Sequence, residues 1–153
     1  MRRYQAKLSG PLLDRFDLAV EVPAVEPEDL ASPAAGEASS RVRERVHEAR
    51  LRQRSRFGPQ GPASNARMGR SELERYAALA RTPARILVDA CRRLGLTARG
   101  YDRVRRVART LADLDSSTSI LDRHIAEAVQ YRRVVHADPF EHGARLTALP
   151  PKA

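Results

Sequence analysis

Three sets of arginines carry the chemistry open to this chain. Arg15 stands between Asp14 and Asp17, at the end of the run Leu8-Ser9-Gly10-Pro11-Leu12-Leu13. An alternating stretch follows, with Leu18, Val20 and Val22 on one face and Ala19 and Glu21 on the other, which predicts a strand. A guanidinium at such a strand entrance can be fixed and aimed at a phosphate on a neighbouring molecule. It can equally pair with Asp14 or Asp17 and do no more than fix the entrance. Arg99, in Gly95-Leu96-Thr97-Ala98-Arg99-Gly100-Tyr101-Asp102, falls in the expected first turn of a helix, where the backbone dipole favours an anion. The plainer alternative is a solvated helix-start arginine. The third set lies between residues 41 and 57, where Arg41, Arg43, Arg45, Arg50, Arg52, Arg54 and Arg56 oppose only Glu44 and Glu48. Arg50, Arg52 and Arg54 are its candidates for nucleic-acid phosphates. A solvated face with ordinary pairs such as Glu48 with Arg52 is the other reading. These arginines recur on several sides of the helix, so no narrow groove-reading face is expected. No aromatics interleave with them to stack on single-stranded bases.

Other chemistries find little support. A phosphate-binding loop needs Gly-Lys-Ser/Thr after a glycine-rich turn, but the two lysines, Lys7 and Lys152, follow an alanine and a proline. No apolar strand ending in Asp-Glu is available to hold magnesium. His47 and His124 stand alone on expected helices, and His136 and His142 fall late in the chain without spaced cysteine or carboxylate partners, so no metal site is expected. Cys91, the lone cysteine, excludes an intramolecular disulfide and fits a reducing cytoplasm; it sits in a helical apolar pattern and reads as a small core residue. No apolar run approaches the roughly 20 residues that span a membrane. All but two of the 28 basic residues are arginine, and the formal charge is +9. A genome rich in G and C explains the choice of arginine over lysine. It does not explain the excess of positive charge, which leaves a nucleic-acid-facing surface open.

The elements that must position these residues are mostly helical. At 153 residues, 42% hydrophobic and 31% charged, the chain suits one helical domain with tails, its core built from Leu, Val, Ile and Ala because aromatics are only 5%. Residues 1–23 read as a loop and one strand, and 24–40 as a connector with Pro27, Pro33 and Gly36. Residues 41–133 form the helical domain, and 134–153 a loose tail. Helical patterning starts near Ser40, with Val42, Val46 and Ala49 on one face and Phe57 closing the segment. Ser71-Glu72-Leu73-Glu74 fits a capping box, and Thr82-Pro83 a helix start ended by Gly95. A helix from Thr97 carries the stripe Tyr101, Val104, Val107, Ala108, Leu111 and Leu114. The last starts at Ser119, capped with Asp122, and buries Ile125, Ala128, Val129 and Tyr131. Short connections favour a compact antiparallel bundle.

Several runs resemble the magnesium-chelatase-like AAA+ ATPases of the YifB/ComM competence type. Leu8 to Leu18 matches their LSGPLLDRFDL segment, which is similar in turn to the SRFD segment of the MCM helicases. Leu94 to Asp115, LGLTARGYDRVRRVARTLADLD, is similar to their LGLSxRAYDRxLKVARTIADL run. Gly36 to Ser40 resembles the GESS turn, and Gln130-Tyr131-Arg132 the closing QYR, so the resemblance runs from about Tyr4 to Arg132. Lys7 stands where the family usually has Arg, and Gly100 where Ala is common, which weakens a helix start by about 1 kcal/mol.

The resemblance implies an AAA+ C-terminal lid, a mainly α bundle preceded by a remnant strand of a missing ATPase core. It makes Arg15 an arginine finger acting in trans on the next subunit's ATP, and Arg99 the sensor-2 arginine facing the ATP of its own subunit. ATP and Mg2+ would be held only through a complementing core, with homologous subunits in a hexamer, DNA as the substrate, and no hydrolysis by this chain alone. The alternatives are a stand-alone basic helical module that binds nucleic acid, and a vestigial fragment.

Overall fold

The computed structural model describes residues 36–136 and, ahead of them, residues 15–20, 22, 24, 25 and 27, with the backbone alone for 133–136. The expectations for residues 1–14, for most of the 24–35 connector and for the tail from 137 lie outside the described residues. Among the described residues are five helices: α1 (Ser39–Phe57), α2 (Arg70–Tyr76), α3 (Arg81–Leu94), α4 (Ala98–Leu114) and α5 (Asp122–His136). A 3₁₀ turn, Asn65–Arg67, links α1 to α2. The mainly α class expected from the periodicities is the class observed.

The central element is α4, which touches every other helix and the 3₁₀ turn. Its sequence explains this role. Val104, Ala108 and Ala112 recur at four-residue spacing and are fully buried, while Tyr101, Val107 and Leu111 flank them and pack against the same core. Small alanines let neighbouring backbones approach. Leu87 and Ala90 of α3, Ile125 and Ala128 of α5, and Met68 and Leu73 close the core around them. Leu114, expected on the stripe, is exposed because the helix ends there.

Helix ends follow local chemistry, with three shifts from expectation. Thr97 caps α4 as expected, its Oγ1 accepting from the Gly100 amide at 3.1 Å. Gly95 ends α3 at φ 62°, and the Leu96 amide returns to the Cys91 carbonyl at 3.0 Å. By contrast, α2 starts at Arg70 rather than at a Ser71 cap: Glu72 accepts from the Gly69 amide at 2.9 Å, and Glu74 pairs with Arg70 instead. Ahead of Pro83, α3 starts at Arg81, with no side-chain cap. In α5 the helix starts at Asp122 rather than Ser119, because buried His124 takes the Leu121 amide at 3.0 Å.

On α1 one expectation fails in part, and on the leading segment one goes unconfirmed. Ala49 is buried, but Val42 and Val46 are exposed, because the first ten residues of α1 extend past the bundle. No strand is present among the described residues of 15–22. A strand needs a neighbour to share its ladder. Here the Ala19 amide donates instead to the Tyr131 carbonyl of α5 at 3.0 Å. Phe16, Leu18, Val20 and Val22 are exposed, Asp17 is exposed as well, and Ala19 is half-buried.

Candidate functional site: the arginines of the central helix

α4 carries five arginines, and four of them are bonded inside the fold. Arg105 donates to the Leu73 and Ala77 carbonyls at 2.7 and 3.1 Å, so a cation closes the C-terminal end of α2, where the dipole favours one. Arg106 donates to the Met68 carbonyl at 3.0 and 2.8 Å. Arg103 pairs with Asp17 at 2.5 Å, across to the leading segment. Arg109, whose side chain is 3% exposed, donates to the Ser117 and Thr118 carbonyls at 2.6 and 2.8 Å and to Asp113 at 3.2 Å. Arg99 is the exception. It sits in the first turn of α4, exposed, and has no hydrogen bond or ion pair among the described residues.

Asp113 holds this helix in place. It is fully buried and accepts from Arg56 of α1 on both oxygens, from Asn65 of the 3₁₀ turn at 2.8 Å, and from Arg109. Asn65 in turn receives Arg56 at 3.0 Å and donates its amide to Gln53 at 3.1 Å. One carboxylate therefore joins α1, the turn and α4. Burial pulls the Arg109 guanidinium below its ordinary value; the Asp113 charge opposes this and Arg56 adds to it. Sequence reasoning does not single these residues out. The available signal is the four-residue spacing of Arg109 and Asp113 beside the small Ala108 and Ala112, which leave room for a buried pair.

Arg15 is exposed and unpaired among the described residues. Its expected alternative partner Asp17 is taken by Arg103, and Asp14 lies outside the described residues. The backbone beside Arg15 is held on α5 by two bonds: Arg132, whose side chain is fully buried, donates to the Phe16 carbonyl, and the Ala19 amide donates to the Tyr131 carbonyl. Arg15 and Arg99 do not touch each other. They sit on segments that meet through Asp17 and Arg103.

An open cleft of about 510 Å³ adjoins the start of α4, lined by Arg70, Glu74, Cys91, Thr97, Tyr101 and Asp102 among others; Arg99 is outside it. Burial pushes the Cys91 thiol up, away from the thiolate a nucleophile needs. Gly100 is buried, and a Cβ there would meet the Leu96 Cβ at 3.3 Å, so glycine relieves a tight turn at this start. At the other end of α4, His124 accepts the Leu121 amide on Nδ1, which leaves Nε2 to donate to Asp115 at 2.9 Å. That bond first, and then Arg123, hold the Asp115 carboxyl below its ordinary value. Among the described residues no three His, Cys, Asp or Glu side chains gather as metal ligands, and no helix is long and apolar enough to cross a membrane.

The basic helix α1 divides into two populations. Arg45 pairs with Glu37, Arg56 with Asp113, and half-buried Arg52 donates to Ser116 Oγ at 2.7 Å and to the Asp113 carbonyl at 3.3 Å. Ser116 is held there at φ 56°, where α4 gives way to the following turn. Arg52 is thus turned away from Arg50 and Arg54, with which the sequence grouped it. Arg41, Arg43, His47, Arg50 and Arg54 remain exposed; Arg41 lies on another side, and the other four fall at i, i+4, i+7 and i+11, on one face of the helix. Glu44 and Glu48 lie off that face.

Fold and site together define a small helical domain of the lid class, its central helix pinned by buried arginine and one arginine left free at its start. Residues 36–132 match the family described as magnesium chelatase, subunit ChlI C-terminal, and residues 1–30 match magnesium chelatase, subunit ChlI. The chain belongs to this magnesium-chelatase ChlI family. It is 42% identical over 134 residues to the competence protein ComM of Haemophilus influenzae, covering 87% of this chain and 26% of that protein. It is 40% identical over 136 residues to the uncharacterised protein YifB of Salmonella typhimurium, covering 86% of this chain and 26% of the relative. The chain spans about a quarter of the length of the curated relatives it matches.

Proposed function

We propose that this chain acts as the lid and finger segment of a YifB/ComM-type AAA+ ATPase assembly in the cytoplasm, a hexamer that uses ATP to remodel DNA. Arg99 acts as the sensor-2 arginine for the ATP of its own subunit, and Arg15 as the arginine finger for the next subunit's. The observation that carries this reading is the freedom of Arg99: the other four arginines of α4 are bonded inside the fold, while Arg99 is exposed in a first turn whose amides favour an anion. Two guanidiniums fit the terminal phosphate oxygens of ATP. The chain carries no Gly-Lys-Ser/Thr loop and no Asp-Glu strand end, so the rest of the nucleotide and Mg2+ fall to a complementing core. With ATP held by such a core, the γ-phosphoryl group would pass to water and ADP would leave, and Arg15 would neutralise the charge that develops in the transfer.

The test is a chimera in which this chain replaces the matching quarter of YifB, assayed for Mg2+-dependent ATP hydrolysis. Arg15→Ala should lower the rate about 10³-fold or more, and Arg99→Ala should also lower it. Rates equal to the unsubstituted chimera for both variants would sink the reading.

A second reading is supported by one feature, the unpaired face of Arg43, His47, Arg50 and Arg54 on α1. It makes α1 a surface that tracks nucleic-acid phosphates without any nucleotide.

A further inference from the structure

Arg15 and Arg99 belong to segments 84 residues apart in the chain, yet a single ion pair joins those segments. Arg103 follows Arg99 by four residues, just over one turn of the same helix, about 6 Å along its axis. Asp17 follows Arg15 by two residues. Arg103 and Asp17 meet at 2.5 Å, with the Arg103 side chain 17% exposed and Asp17 48%. The Arg103 Nε is buried without a partner among the described residues, so Asp17 is the group that compensates this guanidinium. Two further bonds, Arg132 to the Phe16 carbonyl and Ala19 to Tyr131, keep the segment from pivoting about the pair.

We propose that Arg103 is a positioning residue, which through Asp17 locks the Arg15 segment to the helix that carries Arg99. A rotation of α4 as Arg99 meets its own subunit's phosphate then carries Arg15 with it, and coordinates one site with the next. The inference rests on the roles proposed for Arg15 and Arg99. A finger needs such a mount, because a misplacement of about 1 Å can cost about 10²-fold in rate.

Two measurements on wild type, Asp17→Asn, Arg103→Gln, Arg103→Lys and the charge-swapped Asp17→Arg/Arg103→Asp pair test it. The first is amide hydrogen exchange in the full chain, read at Ala19. Exchange should accelerate about tenfold in Asp17→Asn and Arg103→Gln, stay near wild type in Arg103→Lys and the swap, and leave α4 and α5 amides unchanged. The second is hydrolysis in the YifB chimera. The two broken variants should lose about 10- to 100-fold, with both paired variants recovering most of it. Unchanged Ala19 exchange in the broken variants overturns the lock, whatever hydrolysis does. Faster exchange with wild-type hydrolysis, in a background where Arg15→Ala is dead, overturns the positioning role. An inert Arg15→Ala overturns the finger itself, and the positioning with it; the Ala19 result then reports only on the fold.

Discussion

α1 and α4 are the two arginine-rich helices of this molecule, and they use the same side chain in opposite ways. α4 buries one face along its whole length, and Arg103, Arg105, Arg106 and Arg109 reach from that crowded surface to carbonyls and carboxylates on four different segments. α1 buries only Ala49 and Gln53. Its arginines bond inward where the helix meets the bundle, at Arg52 and Arg56, and Arg43, Arg50 and Arg54 face solvent. The difference lies in packing rather than composition. A guanidinium near buried carbonyls satisfies several acceptors at once with its fixed fork, while one on a projecting helix keeps its charge for a partner.

The most direct way to break this contrast is to remove the joint between the helices. Asp113→Ala leaves the Arg109 and Arg56 guanidiniums without their shared carboxylate, and Arg109 has almost no access to water. Removing one partner of a buried pair costs about 3–5 kcal/mol. Urea unfolding should show a drop in stability of that size, with hydrogen exchange rising in the C-terminal half of α1 and in the 3₁₀ turn. A drop under about 1 kcal/mol would mean that the two helices are held by the apolar core alone.

Much of the fold was legible in the sequence, and the reason is periodicity. The α4 stripe, the Gly95 stop, the Thr97 cap and the burial of Ile125, Ala128 and Val129 all follow from local spacing. Arg99 was legible as a helix-start cation for the same reason. The partners of the arginines were not. Arg56 and Asp113 are 57 residues apart, and Arg103 and Asp17 are 86 apart. No local pattern says which of the arginines on α1 will meet buried Asp113. Helix starts shifted where a nearer side chain won the amide, as Glu72 did at Gly69 and His124 at Leu121. Val42 and Val46 look like core from their spacing; only the length of the helices they might pack on shows that nothing reaches them.

The exposed population on α1 gives the next test. Replacing Arg43, Arg50 and Arg54 by Ala should weaken binding of the full chain to duplex DNA. It should also flatten the salt dependence by about 0.9 in slope for each phosphate no longer neutralised, so by up to about 2.7. Arg52→Ala should leave the salt slope nearly unchanged and lower thermal stability instead, because its bonds run to Ser116 and the Asp113 carbonyl. Equal effects of Arg52→Ala and Arg50→Ala on the slope would show that the division of α1 into inward and outward arginines has no bearing on binding.

The smallest expected effect on the fold is the most discriminating for α4. Arg99 has no internal partner among the described residues and stands at the end of the helix where the dipole disfavours a cation, by about 0.3–1 kcal/mol for a surface group. Alanine is also the better helix former. Arg99→Ala should therefore leave the urea midpoint unchanged or raise it slightly, by under about 0.5 kcal/mol in stability. Arg105→Ala, on the same helix, must forfeit two carbonyl bonds at the end of α2 and fall. A cation that adds nothing to the fold is left available to a group outside it. If Arg99→Ala instead costs more than about 1 kcal/mol, Arg99 is one more internal staple like its four neighbours, and its claim to a phosphate loses the contrast on which it stands.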